Sequence, residues 1–372
     1  MIGTRPEAIK LAPVAHALSE RGLAPVLVLT GQHPDLSPRE FGLADFPLQR
    51  LFCPGQADPH RHVGTVTAAL QREFGKLPAL LVVQGDTSSA LGAALAAFTA
   101  EVPVAHVEAG LRTHDPLLPW PEEEYRIAID ANADLLFAPT ETAAANLRAE
   151  NVPGEIHITG NTAIDALVAA EADLPPPSPR ERASPMVVVT CHRRESWGEG
   201  LESIASSIAE LANRATIRLV LHPNPRVQTQ IQARLGCVPN VELIEPRSHR
   251  DLLELMRDAD LVMSDSGGIQ EETPSLGTPL LVLREKTERP EGIAVGSARL
   301  VGTSTDRIVR EARHLLDNPA ALAAMSVRRF PYGDGRAAPR IAAIIEDWLD
   351  RRDRRSWLSS AIPRTAGSRR QS

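Results

Sequence analysis

Aromatic side chains are scarce, making up 3% of the 372 residues. That shortage excludes extended stacking platforms for single-stranded nucleic acid. Cysteine occurs three times, at Cys53, Cys191 and Cys237. So few, so far apart and odd in number, these exclude a disulfide framework and fit a reducing compartment. No run reaches the roughly 20 apolar residues of a membrane span; the best candidate, Ala90 to Ala100, is short and alanine-rich. Arg5, Glu7 and Lys10 interrupt the start, where a secretory signal would need an apolar core. The expectation is a cytoplasmic protein with no membrane partner. Lysine is also rare: Lys10, Lys76 and Lys286 are the only three among 40 basic residues.

What is present is ordinary for a soluble globular chain, with 43% hydrophobic and 23% charged residues, and the length suits two domains. The net charge is −7, but residues 351–372 hold seven arginines against one aspartate. The remaining body is therefore strongly acidic, which argues against a nucleic-acid partner. The polar, serine-rich tail itself reads as disordered.

Short β-branched or leucine-rich runs recur at helix-length spacing: Val26–Thr30, Leu80–Gln84, Val102–Val107, Leu135–Ala138 and Ile156–Thr159. A proline-rich break at 174–185 follows, and then come Met186–Thr190, Arg218–Leu221, Val241–Ile244, Leu261–Ser264, Leu280–Leu283 and Arg299–Val301. Continuous apolar strands alternating with helices predict α/β architecture, with two Rossmann-type, doubly wound parallel-sheet domains and ligands at the strand ends or in the cleft between them. Only Met1 and Ile2 precede the first turn, so the first strand reads as cut short.

The polar residues that matter fall at strand ends. In GTRPEAIKLAP, Arg5 opens a helix and Lys10 follows about one turn later; together they suit a phosphate, although for this motif alone a solvated helix start is the favoured explanation. Gly85-Asp86-Thr87 precedes an alanine-rich helix, where Asp86 is either a helix cap or a chemical group. His106 and Glu108 end the next strand, and a carboxylate leaving the sheet before Ala-Gly favours function. In PWPEEEYR, helix-dipole complementarity accounts for Glu123 and Glu124, leaving Glu122 to face a cleft. Cys191 and His192 are adjacent on an extended chain and point apart, so Cys191 reads as core and His192 as an anion contact. The strongest signal is SDSGGIQEE, where Ser266, Gly267 and Gly268 start a helix able to cradle an anion, Glu272 can accept from a ribose diol, and Arg289 arrives from the next loop. Asp258-Ala-Asp260 looks like a metal motif but sits at a helix end before a buried strand.

Taken together, GTRPEAIK, QGDTSSALG, HVEAGLRT, PWPEE, GNTAIDAL, CHRRESWG, HPNP, SDSGGIQEE, TERPE and PYGDG resemble the non-hydrolysing UDP-N-acetylglucosamine 2-epimerases, in the family's order from Gly3 to about Trp348. The resemblance implies a GT-B-like pair of domains, here 1–165 and 166–336, a helix over 337–350 returning to the first, and the tail 351–372. It implies interconversion of UDP-N-acetylglucosamine and UDP-N-acetylmannosamine by elimination and re-addition of UDP through 2-acetamidoglucal, for cell-envelope polysaccharides. No cofactor and no metal are implied; the expected partners are a UDP-sugar and a second copy of the chain. Asp86, Glu108 and Glu122 are implied near C2 of the sugar. His192, Arg5, Lys10, Arg289 and the Ser266-Gly267-Gly268 helix start are implied around the pyrophosphate, His192 counting as catalytic, and Glu272 at the ribose. Two departures stand out. Arg247-Ser248-His249-Arg250-Asp251-Leu252 replaces a stretch that helps hold uracil, and GQHPDLSPRE keeps Gln32-His33 but loses the pattern after it that serves an activating UDP-sugar. A 2-epimerase of another UDP-sugar, such as a diacetamido uronic acid, a GT-B glycosyltransferase and a UDP-sugar sensor are the alternatives.

Overall fold

Val104–Val107, Leu135–Ala138, Met186–Thr190 and Leu261–Ser264 are buried at every position, which leaves no face for water and commits them to sheets covered on both sides. The structure, a computed structural model, describes residues 1–73, 77–177, 184–191, 199–222 and 224–361, with backbone alone at 199 and 355–361. The first half carries β1 (Leu27–Leu29), β2 (Leu48–Arg50), β3 (Leu81–Gln84), β4 (Val104–Val107), β5 (Leu135–Ala138) and β6 (Glu155–Ile158). The second carries β7 (Met186–Thr190), β8 (Thr216–Val220), β9 (Val241–Ile244), β10 (Leu261–Ser264), β11 (Leu280–Val282) and β12 (Ala298–Leu300). The pairings among these strands are parallel.

The second sheet runs β12-β11-β10-β7-β8-β9, the doubly wound order in which strand direction of travel reverses between β7 and β10. In the first half β3-β4-β5-β6 form one sheet and β1-β2 a pair beside it. Met1 and Ile2 fill the gap between them. Ile2 bridges to Leu29 and donates to the Val28 carbonyl at 2.9 Å, while the Met1 amino group donates to the Val82 carbonyl at 2.9 Å. The two residues before Gly3 thus occupy the central strand position, and the first half repeats the order of the second. Both reversal points open a crevice at the carboxyl ends of the strands, the place where such folds bind ligands. Gly3 lies at the first of these, and only glycine fits: a Cβ there would sit 2.1 Å from the Ser89 hydroxyl oxygen.

The last helix, Ala337–Ala361, starts where the Asp165 carboxylate accepts from the Ala337 and Ala338 amides at 3.1 and 2.8 Å. Its residues Ala338, Ile341, Ala342 and Ile345 join Ala8, Leu11, Val14 and Leu18 of helix Arg5–Glu20 in one buried cluster. The helix does not stop at Asp350. Arg351 and Arg354 pair one turn back with Asp347 and Asp350, Arg351 also reaches Glu155 at 3.0 Å, and the helix runs on to Ala361.

Candidate active site

Helix Arg5–Glu20 opens with a capping box: the Thr4 side chain accepts from the Glu7 amide while Glu7 reaches back to the Gly3 and Thr4 amides at 2.9 and 2.6 Å. Glu7 also accepts from the Thr87 hydroxyl at 2.7 Å, which ties this turn to the one carrying Asp86. The helix so anchored aims Lys10 into the crevice. The Lys10 ammonium lies 2.7 and 2.8 Å from the Glu108 carboxylate oxygens and 2.9 Å from Glu271. Arg289, from the loop after β11, donates to Glu108 at 2.8 Å and to Glu271 at 2.6 Å. Two cations and two carboxylates therefore alternate around a closed ring that joins the two halves. All four side chains are at most 8% exposed.

Burying four charges costs several kcal/mol per ion, which only alternation at these distances offsets. Burial and the neighbouring Glu271 push the Glu108 carboxyl above the usual carboxylate range, against the pull of Lys10 and Arg289. Burial pushes Glu271 the same way, but Arg289 and Lys10 outweigh it and hold that carboxyl low. Glu108 itself sits at a φ of 70°, a left-handed backbone uncommon outside glycine and often kept at functional turns. The Gln84 amide also donates to it.

Asp86 is not the cap of helix Ser88–Thr99. Thr87 is, accepting from the Ala90 amide at 3.0 Å, so the Asp86 carboxylate is left to pair with Arg126. His106 supports this turn and the Glu108 turn together. One ring nitrogen lies 2.8 Å from the Gly85 carbonyl, the other 2.6 Å from Asp130, whose second oxygen accepts from the Gly110 amide at 3.1 Å and pairs with Arg112 at 2.8 Å. Burial would raise the Asp130 carboxyl; His106 and Arg112 outweigh it and hold it below its usual range.

In the second half, Ser266 is the N-cap residue of helix Gly267–Leu276. A Cβ at Gly267 would lie 2.8 Å from the Arg289 guanidinium carbon, so a larger residue there would displace the guanidinium. Glu272, one residue beyond Glu271, lies 2.7 Å from a ring nitrogen of His249. Burial would lower the His249 pKa, but Glu272 raises it above its ordinary value. The β7 and β10 ends meet at the reversal point, where the Thr190 and Ser264 hydroxyls are 2.6 Å apart.

A family model described as UDP-N-acetylglucosamine 2-epimerase matches residues 16–346. The chain belongs to the UDP-N-acetylglucosamine 2-epimerase family. This epimerase is 40% identical over 373 residues to the UDP-N-acetylglucosamine 2-epimerase of Salmonella typhimurium, covering 94% of this chain and 98% of that one. It is similar to the crystal structure of UDP-GlcNAc 2-epimerase from Neisseria meningitidis bound to UDP-GlcNAc, with a TM-score of 0.86 and 37% identity over 93% of this chain and 98% of that one. A UDP-GlcNAc 2-epimerase from Methanocaldococcus jannaschii, in complex with UDP-GlcNAc and UDP, gives a TM-score of 0.80 at 29% identity over 92% of this chain and 98% of that one. The chain is thus an isomerase of GT-B-like fold, and no described helix is long and apolar enough to cross a membrane.

Of the residues singled out in the epimerase sequence, Lys10, Glu108 and Arg289 meet in the buried ring, with Gly267 against Arg289. Arg5 stays outside it, half exposed and 3.8 Å from Glu40, because the first position of its helix faces solvent. Glu122 is half-buried at its helix start, while Glu123 departs from the dipole reading: it is 1% exposed and accepts from the Thr113 and His114 amides at 3.0 and 2.9 Å. His192 lies outside the described residues. Glu271 was not anticipated. The doubled Glu-Glu of SDSGGIQEE was its only signal, and spacing does not say which of the two enters the ring.

Proposed function

We propose that this epimerase interconverts UDP-N-acetylglucosamine and UDP-N-acetylmannosamine by eliminating and re-adding UDP. The C2 hydrogen is not beside a carbonyl, so simple deprotonation is prohibitive. In the elimination a carboxylate takes the C2 proton, the C–H electron pair forms the C1–C2 double bond, and the C1–O pair leaves with the β-phosphate of UDP. Re-addition reverses each step, with the proton delivered to the opposite face of 2-acetamidoglucal. Lys10, Arg289 and the Ser266-Gly267-Gly268 helix start hold the diphosphate and stabilise its developing charge. Glu272 receives the ribose hydroxyls. Glu108, Asp86 and Glu122 serve the proton transfers, and burial holds the Glu108 carboxyl above the usual carboxylate range, which eases its taking a proton.

The observation that carries this reading is the convergence of Lys10 and Arg289, from different halves, on Glu108 beside the Gly267 helix start. Leaving-group stabilisation and proton removal have to act on adjacent carbons, and this arrangement supplies both within one side-chain length. The reading takes residues 1–165 and 166–336 as the two domains, closing to retain UDP and glycal between steps. It also places the protein in the cytoplasm, as a homodimer supplying precursors of cell-envelope polysaccharide. An NMR time course with UDP-N-acetylglucosamine tests it: UDP-N-acetylmannosamine should grow in to equilibrium, with traces of 2-acetamidoglucal and UDP. Release of free N-acetylglucosamine with no epimer would overturn it.

A further inference from the structure

We propose that Glu271 is a positioning residue that sets the charge of the diphosphate cradle, keeping UDP bound weakly enough to return to C1 after it has left. This rests on the reading that Lys10 and Arg289 hold the diphosphate. Glu271 is fully buried on helix Gly267–Leu276, and its two oxygens are divided between the cations, 2.6 Å from Arg289 Nε and 2.9 Å from Lys10 Nζ. Glu108 bridges the same two cations from the other half. Arg289 also pairs with Glu288, which is itself 3.0 Å from Arg284.

The ring is closed and balanced before any ligand arrives. A diphosphate entering it adds at least two further negative charges beside two cations that already carry two carboxylates. One carboxylate has to give way. Glu108 stands at the end of β4, beside the cleft where a sugar C2 would lie, and leaving the cations frees it to work there. Glu271 is fixed by its helix and stays with Arg289 and Lys10 whether or not UDP is present. It therefore holds both cations in place during the exchange and offsets part of their charge.

That partial offset matters for re-addition. The β-phosphate oxygen is the leaving group in one direction and the nucleophile in the other. A cradle with one more net positive charge would favour departure and slow return, because its hold on the UDP oxygen would have to be broken before attack on C1.

Glu271→Gln keeps the shape and an acceptor for Arg289 while removing the charge. UDP binding measured by calorimetry should tighten about tenfold. Turnover to the epimer should fall while free 2-acetamidoglucal rises beyond the wild-type level, with UDP retained on the enzyme. Glu271→Asp keeps the charge and should stay within about twofold of wild-type UDP affinity. A purely structural role would weaken UDP binding in both variants. Unchanged or weaker UDP binding by folded Glu271→Gln overturns the proposal. Where Glu271→Gln does not fold by itself, Glu271→Asp decides: weakened UDP binding by folded Glu271→Asp overturns the proposal, and an affinity within about twofold of wild type supports it. Lys10→Met separates the two readings. If it weakens UDP binding while Glu271→Gln does not tighten it, Glu271 alone is misassigned. If Lys10→Met leaves UDP affinity intact, the cradle reading falls with it.

Discussion

Asp130→Asn isolates the scaffold that holds the site from the site itself. Asp130 is fully buried and pairs with His106 at 2.6 Å, Arg112 at 2.8 Å and the Gly110 amide at 3.1 Å. Removing one partner of a buried ion pair costs about 3–5 kcal/mol, because the other charge stays buried. Arg112 keeps Glu150 at 2.6 Å, which places this case at the low end, near 3 kcal/mol. At roughly 2–4 °C per kcal/mol for a domain of this size, the melting temperature should drop by about 10 °C. The cost should depend on pH in a defined sense. The folded-state pKa of Asp130 lies below its unfolded value, so its stabilisation is complete above the usual aspartate range near 4 and is lost as pH falls through the depressed folded value. The gap between wild type and variant, measured by thermal melts, should be constant from neutral pH to about pH 5 and narrow below that. A loss under about 3 °C at pH 7, or a gap that widens in acid, would refute the account. Turnover should fall as well, because His106 links Asp130 to the Gly85 carbonyl beside Asp86.

Thr87→Ala should cost about 1 kcal/mol of stability, read by urea melts, because Thr87 rather than Asp86 caps helix Ser88–Thr99. Arg289→Ala and Glu272→Ala should both weaken UDP binding in calorimetry, since each contact exists in the ground state. With the stretch after Gln32-His33 altered, initial rates should be near-hyperbolic, and UDP-N-acetylmannosamine should turn over without added UDP-N-acetylglucosamine; a strict need for that activator would show otherwise.

Strand positions were readable wherever a strand is buried on both faces: Leu135–Ala138, Met186–Thr190 and Leu261–Ser264 fall where their apolar runs predict. β2 escaped because Leu48, Gln49 and Arg50 form an exposed edge with no apolar run to mark it. Met1 and Ile2 pair on both sides, with Leu29 and with the Val82 carbonyl, contacts that leave no trace in sequence. In the site, the strand-end positions of Asp86 and Glu108 were legible, but which group caps the helix after Asp86 was a matter of rotamers. Glu123 and Glu271 were hidden for one reason. Each is one of several consecutive carboxylates, and only packing decides which one turns inward.

The central claim is that a carboxylate beside Lys10 and Arg289 exchanges the C2 hydrogen while UDP departs and returns. Incubation with UDP-N-acetylglucosamine in heavy water, followed at C2 by NMR, reads that step directly. The account predicts deuterium at C2 of both epimers with wild-type protein, and a fall of ~100-fold or more in Glu108→Gln, and likewise in whichever of Asp86→Asn and Glu122→Gln carries a proton. Epimerisation with the C2 hydrogen retained, or near-wild-type exchange in all three variants, would contradict it.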